Sequence, residues 1–520
     1  MLHRLAIALT TLLGLVGATV VAGYLLVFAV GTDRMAAAVP ADAGAYVTVY
    51  LQPTTGQQMN LAAMLGSVPG FADPASLDQK INEISARFLG QAGIDYEADI
   101  RPWIGNQLSV AAEPGATLAD QPPWLLVASV KDPALAGEAL DRIAAGRGLT
   151  GSATTYQDVP ITVAESLAWA VQPDLLVVAP DRESLEAALD AYADRAPSLA
   201  DDPQYIAAMR RLPADHLAAA YLDLERLAGT AGIGDQLGGY STASAALMAE
   251  RSGLRVQAIA PFDVLAAPPA AREGFALASE PASLADWMPA DTQAAAVIFG
   301  LRQSVESAER GLAGDPAAQE ITDALSQLRG LAAFGLGINL DDDLLPLFDA
   351  EAGLSVTGVT DTSPRGQLLL RPSDAEAAAA SLQRMRDALE AHGGQVDERA
   401  AEGTIVTSVD IPQVAAVSWA MSDGVILAGL SYEDVAAALA ARASGDSLAQ
   451  ADRYRSAWEL AGGRGGNEAY VDIGSIVDSS EDTLGMTGDA RDILLSIGAL
   501  GMTAPARDET SELHAVLTVR

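Results

Sequence analysis

Cysteine is missing from all 520 residues, which removes disulfides, thiolate metal sites, a cysteine nucleophile and a lipidated N-terminal cysteine. Lysine is almost missing too: Lys80 and Lys131 are the only two, and arginine carries the remaining basic charge. Four histidines, His3, His216, His392 and His514, lie too far apart for zinc-ligand spacing, and no His-Glu-x-x-His helix occurs. The chain has 31 basic residues against 68 acidic ones, a formal charge of −37, so the clustered cations that neutralise phosphates are lacking. That balance excludes nucleic acid as the expected partner and argues against a body held on anionic lipids. It fits solubility better than a cation-binding surface.

Half of the residues are hydrophobic, enough for real cores, and the length predicts two domains or one duplicated domain. The longest uncharged stretch is "LAIALTTLLGLVGATVVAGYLLVFAV", residues 5–30. As a helix it would span about 39 Å, more than the roughly 30 Å of a bilayer's hydrocarbon core. A cleaved signal peptide competes, because small residues follow at Ala36 to Ala38. The run is much longer than a signal peptide's apolar region, so an uncleaved single-pass anchor is expected. His3 and Arg4 precede it, whereas Asp33 offsets Arg34 after it, which predicts a cytoplasmic N-terminus and an extracytoplasmic body.

The rest of the chain repeats itself at an interval of about 250 residues, the mark of an internal duplication. Trp169-Ala170 matches Trp419-Ala420, "ESLEAALDA" matches "EDVAAALAA", "SLADDPQY" matches "SLAQADRY", and "AYLDL" matches "AYVDI". The phrase "PAD" occurs at residues 40, 213 and 289, each time before a run of strand character, and reads as a turn that launches a strand. Strands are expected at 124–130 and 174–179, each followed by an amphipathic helix, with Asp132, Asp181 and Asp202 at helix starts and a capping box from Ser373 to Glu376. The order of elements predicts an α+β fold: two tandem repeats, each a mixed or antiparallel sheet with helices packed on one face. Repeats at 35–264 and 285–520, joined by a linker at 265–284, follow the anchor and its flank at 1–34.

This combination resembles the bacterial domain-of-unknown-function 3352 family. The resemblance rests on "VPADAGAYVTVYLQP", "GFADPASLDQKINE", "GIDYEADIRPWIGNQLSVA" and "DLLVVAPDRESLEAALDA", and runs from Val39 to the end. It implies a membrane-attached protein of the bacterial cell envelope and supplies no catalytic residue.

Motifs for chemistry are sparse. "GDSLA" at 445–449 carries the Gly-Asp-Ser-Leu signature of some serine esterases, but Ser447 falls between two expected helices, not at a strand end. Asp341, Asp342 and Asp343 lack the alternation and glycine of a calcium loop and read as a solvated helix start. The glycines of "GGRGG" at 462–466 follow a helix, the reverse of a phosphate-binding order. Tyr221 with Asp223, and Tyr470 with Asp472, form Tyr-x-Asp pairs that share one strand face by the period of two. The two carboxylates are candidates for acid and base, against the simpler role of helix caps. Trp169 and Trp419 are candidates for a ligand platform, against packing.

No cofactor and no metal are expected. The primary expectation is a non-enzymatic, membrane-anchored binding or interaction module whose partners are the bilayer, through residues 5–30, and an envelope protein or apolar ligand. A carrier or sensor of an apolar small molecule or lipid is the first alternative, and a hydrolase using Asp223, Asp472 or Ser447 the second.

Overall fold

The computed structural model describes residues 33–69, 94–112, 124–165, 167–231, 238–303, 305–306, 329–330, 338–359, 365–411, 415–479 and 489–520. The expected anchor at 5–30 lies outside the described residues. Among the described residues no helix is long and apolar enough to cross a membrane. The chain divides into two compact units, Met1–Ala266 and Ala267–Arg520.

The fold is α+β. In the first unit the strands are β1 (Ala45–Tyr50), β2 (Ile104–Ala112), β3 (Trp124–Val130), β4 (Ser152–Tyr156), β5 (Val159–Val163), β6 (Ala168–Val171), β7 (Leu175–Ala179), β8 (Ala218–Asp223), β9 (Thr242–Glu250) and β10 (Gly253–Pro261). They pair antiparallel in the order β4-β5-β6-β7-β3-β2-β1-β8-β9-β10.

The second unit holds β11 (Ala294–Phe299), β12 (Glu351–Thr357), β13 (Arg365–Arg371), β14 (Gln395–Ala401), β15 (Thr404–Ile411), β16 (Ala415–Ser422), β17 (Val425–Gly429), β18 (Asn467–Val471), β19 (Ile497–Ala504), the short β20 (Ala506–Arg507) and β21 (Thr510–Val519). Their order is β14-β15-β16-β17-β13-β12-β11-β18-β19-β21, again antiparallel, and it repeats the first unit's order strand for strand.

The "PAD" turns stand before β1, β8 and β11. Pro40 bridges Ser198, and Pro289 bridges Ser447. In both units the residue after the serine adds a backbone bond of 2.8 Å, from Leu199 to Val39 and from Leu448 to Met288. Helix starts follow the expected chemistry at Asp132, Asp181 and Asp202, whose side chains accept from amides of the first turn. The Ser373 capping box does not form. Asp374 caps the helix Ala375–Ala391 instead, and Ser373 donates its amide and hydroxyl to Asp349. A helix, Pro269–Leu277, occupies part of the expected linker at 265–284 and belongs to the second unit.

Over β3 and β7, and over β13 and β17, helices pack on both faces of the sheet, not one. In the first unit Val127 and Val177 share a core with Leu185 and Ala188 of the helix Arg182–Tyr192. Their strand neighbours Ala128 and Leu176 share another core with Ala136 and Ala139 of the helix Pro133–Gly146. The second unit does the same: Leu369 and Leu427 meet the helix Tyr432–Ser444, and Leu370 and Ile426 meet Ala378 of Ala375–Ala391. The cause is in the strands. "WLLVASV" and "LLVVA" are apolar at successive positions, and a strand apolar on both sides needs cover on both sides.

Candidate functional site

Asp223 ends β8 and Asp472 follows the last residue of β18, and each caps the helix that comes next. Asp223 accepts from the Arg226 amide at 2.9 Å and pairs with the Arg226 guanidinium at 3.1 Å. Asp472 accepts from the Ser475 amide at 2.8 Å and pairs with Arg453 at 2.8 Å. Both carboxylates are buried, and each is neutralised by an arginine of its own unit. A general base needs a carboxylate aimed at a reacting proton; these are aimed at backbone amides.

Tyr221 shares its strand face with Asp223, Tyr470 lies in β18 two residues before Asp472, and both tyrosines are buried in the cores. Tyr221 stacks edge-on against Tyr205 at 5.3 Å, and Tyr470 against Tyr454 at 5.0 Å. Burial, and then the neighbouring Asp223 carboxylate, pushes the Tyr221 hydroxyl up to about 12. The same causes, with Asp472, raise Tyr470 above the ordinary tyrosine range. These phenols are packed, neutral side chains.

Ser447 is buried in its bridge to Pro289, at the start of a short 3-10 turn, Leu448–Gln450. It does not stand at a strand-to-helix elbow, so the "GDSLA" motif lacks its context. The aspartate run starts a π turn, Leu340–Leu344. Asp343 pairs with Arg384 at 2.7 Å and Asp341 with Arg329 at 3.1 Å. No group of His, Asp or Glu able to hold a metal ion occurs among the described residues.

A polar hub that sequence reading missed is Asp33. Its Oδ1 accepts from the Tyr46 hydroxyl at 2.8 Å, from the Met35 amide at 3.1 Å and from the Gln107 side chain, and its Oδ2 accepts from the Tyr205 hydroxyl at 2.7 Å. Burial, with Asp33 as the second cause, raises Tyr46 and Tyr205 above the ordinary range. Among the described residues, all of these donors belong to the protein's own first unit.

Trp419 belongs to a surface groove. The side chain is 8% exposed and forms the floor of this groove, which measures about 290 Å³ and lies in the second unit. Strand register places Glu398 opposite Thr407 and Thr407 opposite Trp419, so these side chains form a row across β14, β15 and β16. Above the row runs the helix Ala375–Ala391, which contributes Ala379, Leu382, Gln383 and Arg386. Those positions follow the i, i+3, i+4, i+7 spacing of a single helix face. Ile405 and Met421 complete an apolar side.

Arg386 and Glu398 face each other across the groove with 3.1 Å between guanidinium and carboxylate. The Arg386 Nε is buried and has no hydrogen-bond partner among the described residues. Trp169 is equally buried in the first unit, opposite Thr162. Of the six side chains singled out in the sequence, only Trp419 lines the groove. Arg386 and Glu398 carry no local signature, since each is an ordinary charge on an amphipathic helix or an exposed strand.

No curated protein matches this chain. Among solved structures, crystal form III of TP0453 aligns with a TM-score of 0.26 and 12% identity, over 45% of this chain and 80% of that one. Crystal form I of the same protein aligns with a TM-score of 0.25 and 11% identity, over 45% and 79%. Scores of that size do not establish a shared fold. A family described as "Protein of unknown function (DUF3352)" matches residues 5–519.

Proposed function

We propose, from the premise that the chain belongs to the DUF3352 family of proteins of unknown function, that it is a membrane-anchored, extracytoplasmic binding module that acts without catalysis. The observation that carries this reading is a contrast. Asp223, Asp472 and Ser447 are committed to helix caps, ion pairs and a strand bridge, whereas Trp419 floors a groove that the protein's own side chains leave unfilled.

Anchoring is supported by the start of the body. Met35, Ala36 and Ala38 are core residues, and Asp33 ties Tyr46 to Tyr205. Cleavage among the small residues Ala36 to Ala38 would take Asp33 and Met35 from the folded unit. An uncleaved apolar segment at 5–30 keeps them. The shared strand order, and the shared bridges Pro40 to Ser198 and Pro289 to Ser447, support the proposed duplication, with a groove specialised in the second copy.

Carriage of an apolar small molecule or lipid is the second reading. It draws on one face of the first sheet, where Val47 and Val110 sit opposite each other, 44% and 45% exposed. Native mass spectrometry of the full chain, released from lipid nanodiscs, separates the two. A small added mass that W419A abolishes is expected. A lipid mass unaffected by W419A would favour carriage. Turnover of a substrate that D223N or D472N abolishes would overturn the non-catalytic reading.

A further inference from the structure

We infer that the Trp419 groove takes a small zwitterion, an apolar α-amino acid, with its carboxylate on Arg386, its ammonium on Glu398 and its side chain on Trp419 and Leu382. This rests on the binding-module reading and names the ligand of that same groove.

The fold itself does not need this charged pair. In both units an arginine of the helix clamps a carboxylate of the preceding π turn: Arg142 pairs with Asp99 at 3.1 Å, and Arg384 with Asp343 at 2.7 Å. That correspondence sets Ala144 of the first unit against Arg386 of the second, each two residues further along. Strand register gives the other member. Thr162 lies between Ala153 and Trp169, and Thr407 lies between Glu398 and Trp419, so Ala153 stands where Glu398 does. The first unit therefore builds the same helix over the same Thr-Trp row with two alanines. The charged pair is not required to hold helix on hairpin.

Nor does the pair add much stability. Both side chains are partly exposed, 31% and 43%, a setting in which an ion pair contributes about 0–1 kcal/mol. What the pair supplies is opposite charges beside an aromatic side chain, both on partly exposed groups that a small ligand can reach. A ligand carboxylate can pair with the terminal guanidinium nitrogens of Arg386 by charge-assisted bonds, and an ammonium on the same small molecule with Glu398. A ligand with one charge alone would take one member of the pair and leave the other without its partner. The size agrees: about 290 Å³ lies at the small end of ligand pockets, roughly 300–1,000 Å³, and is too small for a lipid's acyl chains.

The test uses the full chain in nanodiscs and isothermal titration with L-phenylalanine, L-leucine and L-methionine, alongside phenylacetate and phenethylamine, which keep one charge each. Saturable binding of an amino acid, weakened at least about tenfold in either one-charge analogue and in both R386Q and E398Q, is the expected result. Circular dichroism and melting curves confirm that the variants fold. Equal or tighter binding of a one-charge analogue overturns the inference and leaves the groove as a binding site. Failure of all three amino acids also overturns it, and the mass-spectrometric comparison with W419A then decides the binding-module reading separately.

Discussion

The Tyr205 hydroxyl donates a 2.7 Å hydrogen bond to Asp33, a residue 172 positions earlier in the chain. This bond, with that from Tyr46, fastens the first described residues of the body to its core. Replacing Asp33 with Ala leaves the Tyr205 hydroxyl and the Met35 amide without their acceptor, while the Tyr46 hydroxyl keeps Ser109 at 3.0 Å. Each buried group left unpaired costs about 1–3 kcal/mol, and relaxation recovers part of that. D33A should lose about 2–4 kcal/mol in urea unfolding of the first unit. A loss below about 0.5 kcal/mol would show that the hub is dispensable.

Asp472 and Asp223 give a second expectation. Removing an N-cap aspartate costs about 0.5–2 kcal/mol. D472A also removes the ion-pair partner of Arg453, and D223A that of Arg226, which keeps its bond to the Ala41 carbonyl. Both variants should lower the melting temperature and leave ligand binding at the Trp419 groove unchanged. The neutral D472N, which keeps an oxygen for the Ser475 amide, should recover more than half of the loss. Calorimetry of the three variants checks this, and loss of binding without loss of stability would sink the capping role.

These two cases mark how far sequence reading goes. The Tyr-x-Asp strands, the helix starts at Asp132, Asp181 and Asp202, and the strands launched by "PAD" were legible because their causes are local: the period of two, a short acceptor side chain, a proline-fixed turn. Asp33 was not. Next to Arg34 it reads as a compensating charge beside an apolar segment, because its donors Tyr46, Gln107 and Tyr205 are 13, 74 and 172 residues away. Helices on both faces were not legible locally: the apolar runs of β3, broken only by Ser129, and of β7 mark strands, but what covers each side depends on helices elsewhere in the chain. The groove shows the mixed case: Trp419 was visible as a repeated landmark, but only the register of β14 to β16 brings Glu398 beside it.

Ser447 offers a sharp test of motif against context. Its role is the backbone bridge to Pro289, and any residue that accepts an extended conformation can make that bridge. S447A should shift stability by no more than about 1 kcal/mol. A fluorophosphonate probe should not label the wild-type protein at Ser447. Stoichiometric labelling that S447A abolishes would establish an activated serine.

Alkaline pH provides the last expectation. Burial raises Tyr46, Tyr205, Tyr221, Tyr454 and Tyr470 above their unfolded value of about 10, with Tyr221 at about 12. Raised folded values mean that the folded chain holds more protons than the unfolded chain above pH 10 or so. Stability from these phenols is therefore fully present below about pH 10 and lost as pH rises through about 12 and beyond. The chain has 12 tyrosines, so tyrosinate absorbance should appear in two stages. The first stage should leave circular dichroism unchanged, and the buried set should ionise only together with the loss of structure. Y205F and Y470F should each reduce the second amplitude. Ionisation of every tyrosine in a single step near pH 10, with the fold intact, would contradict the burial of these side chains.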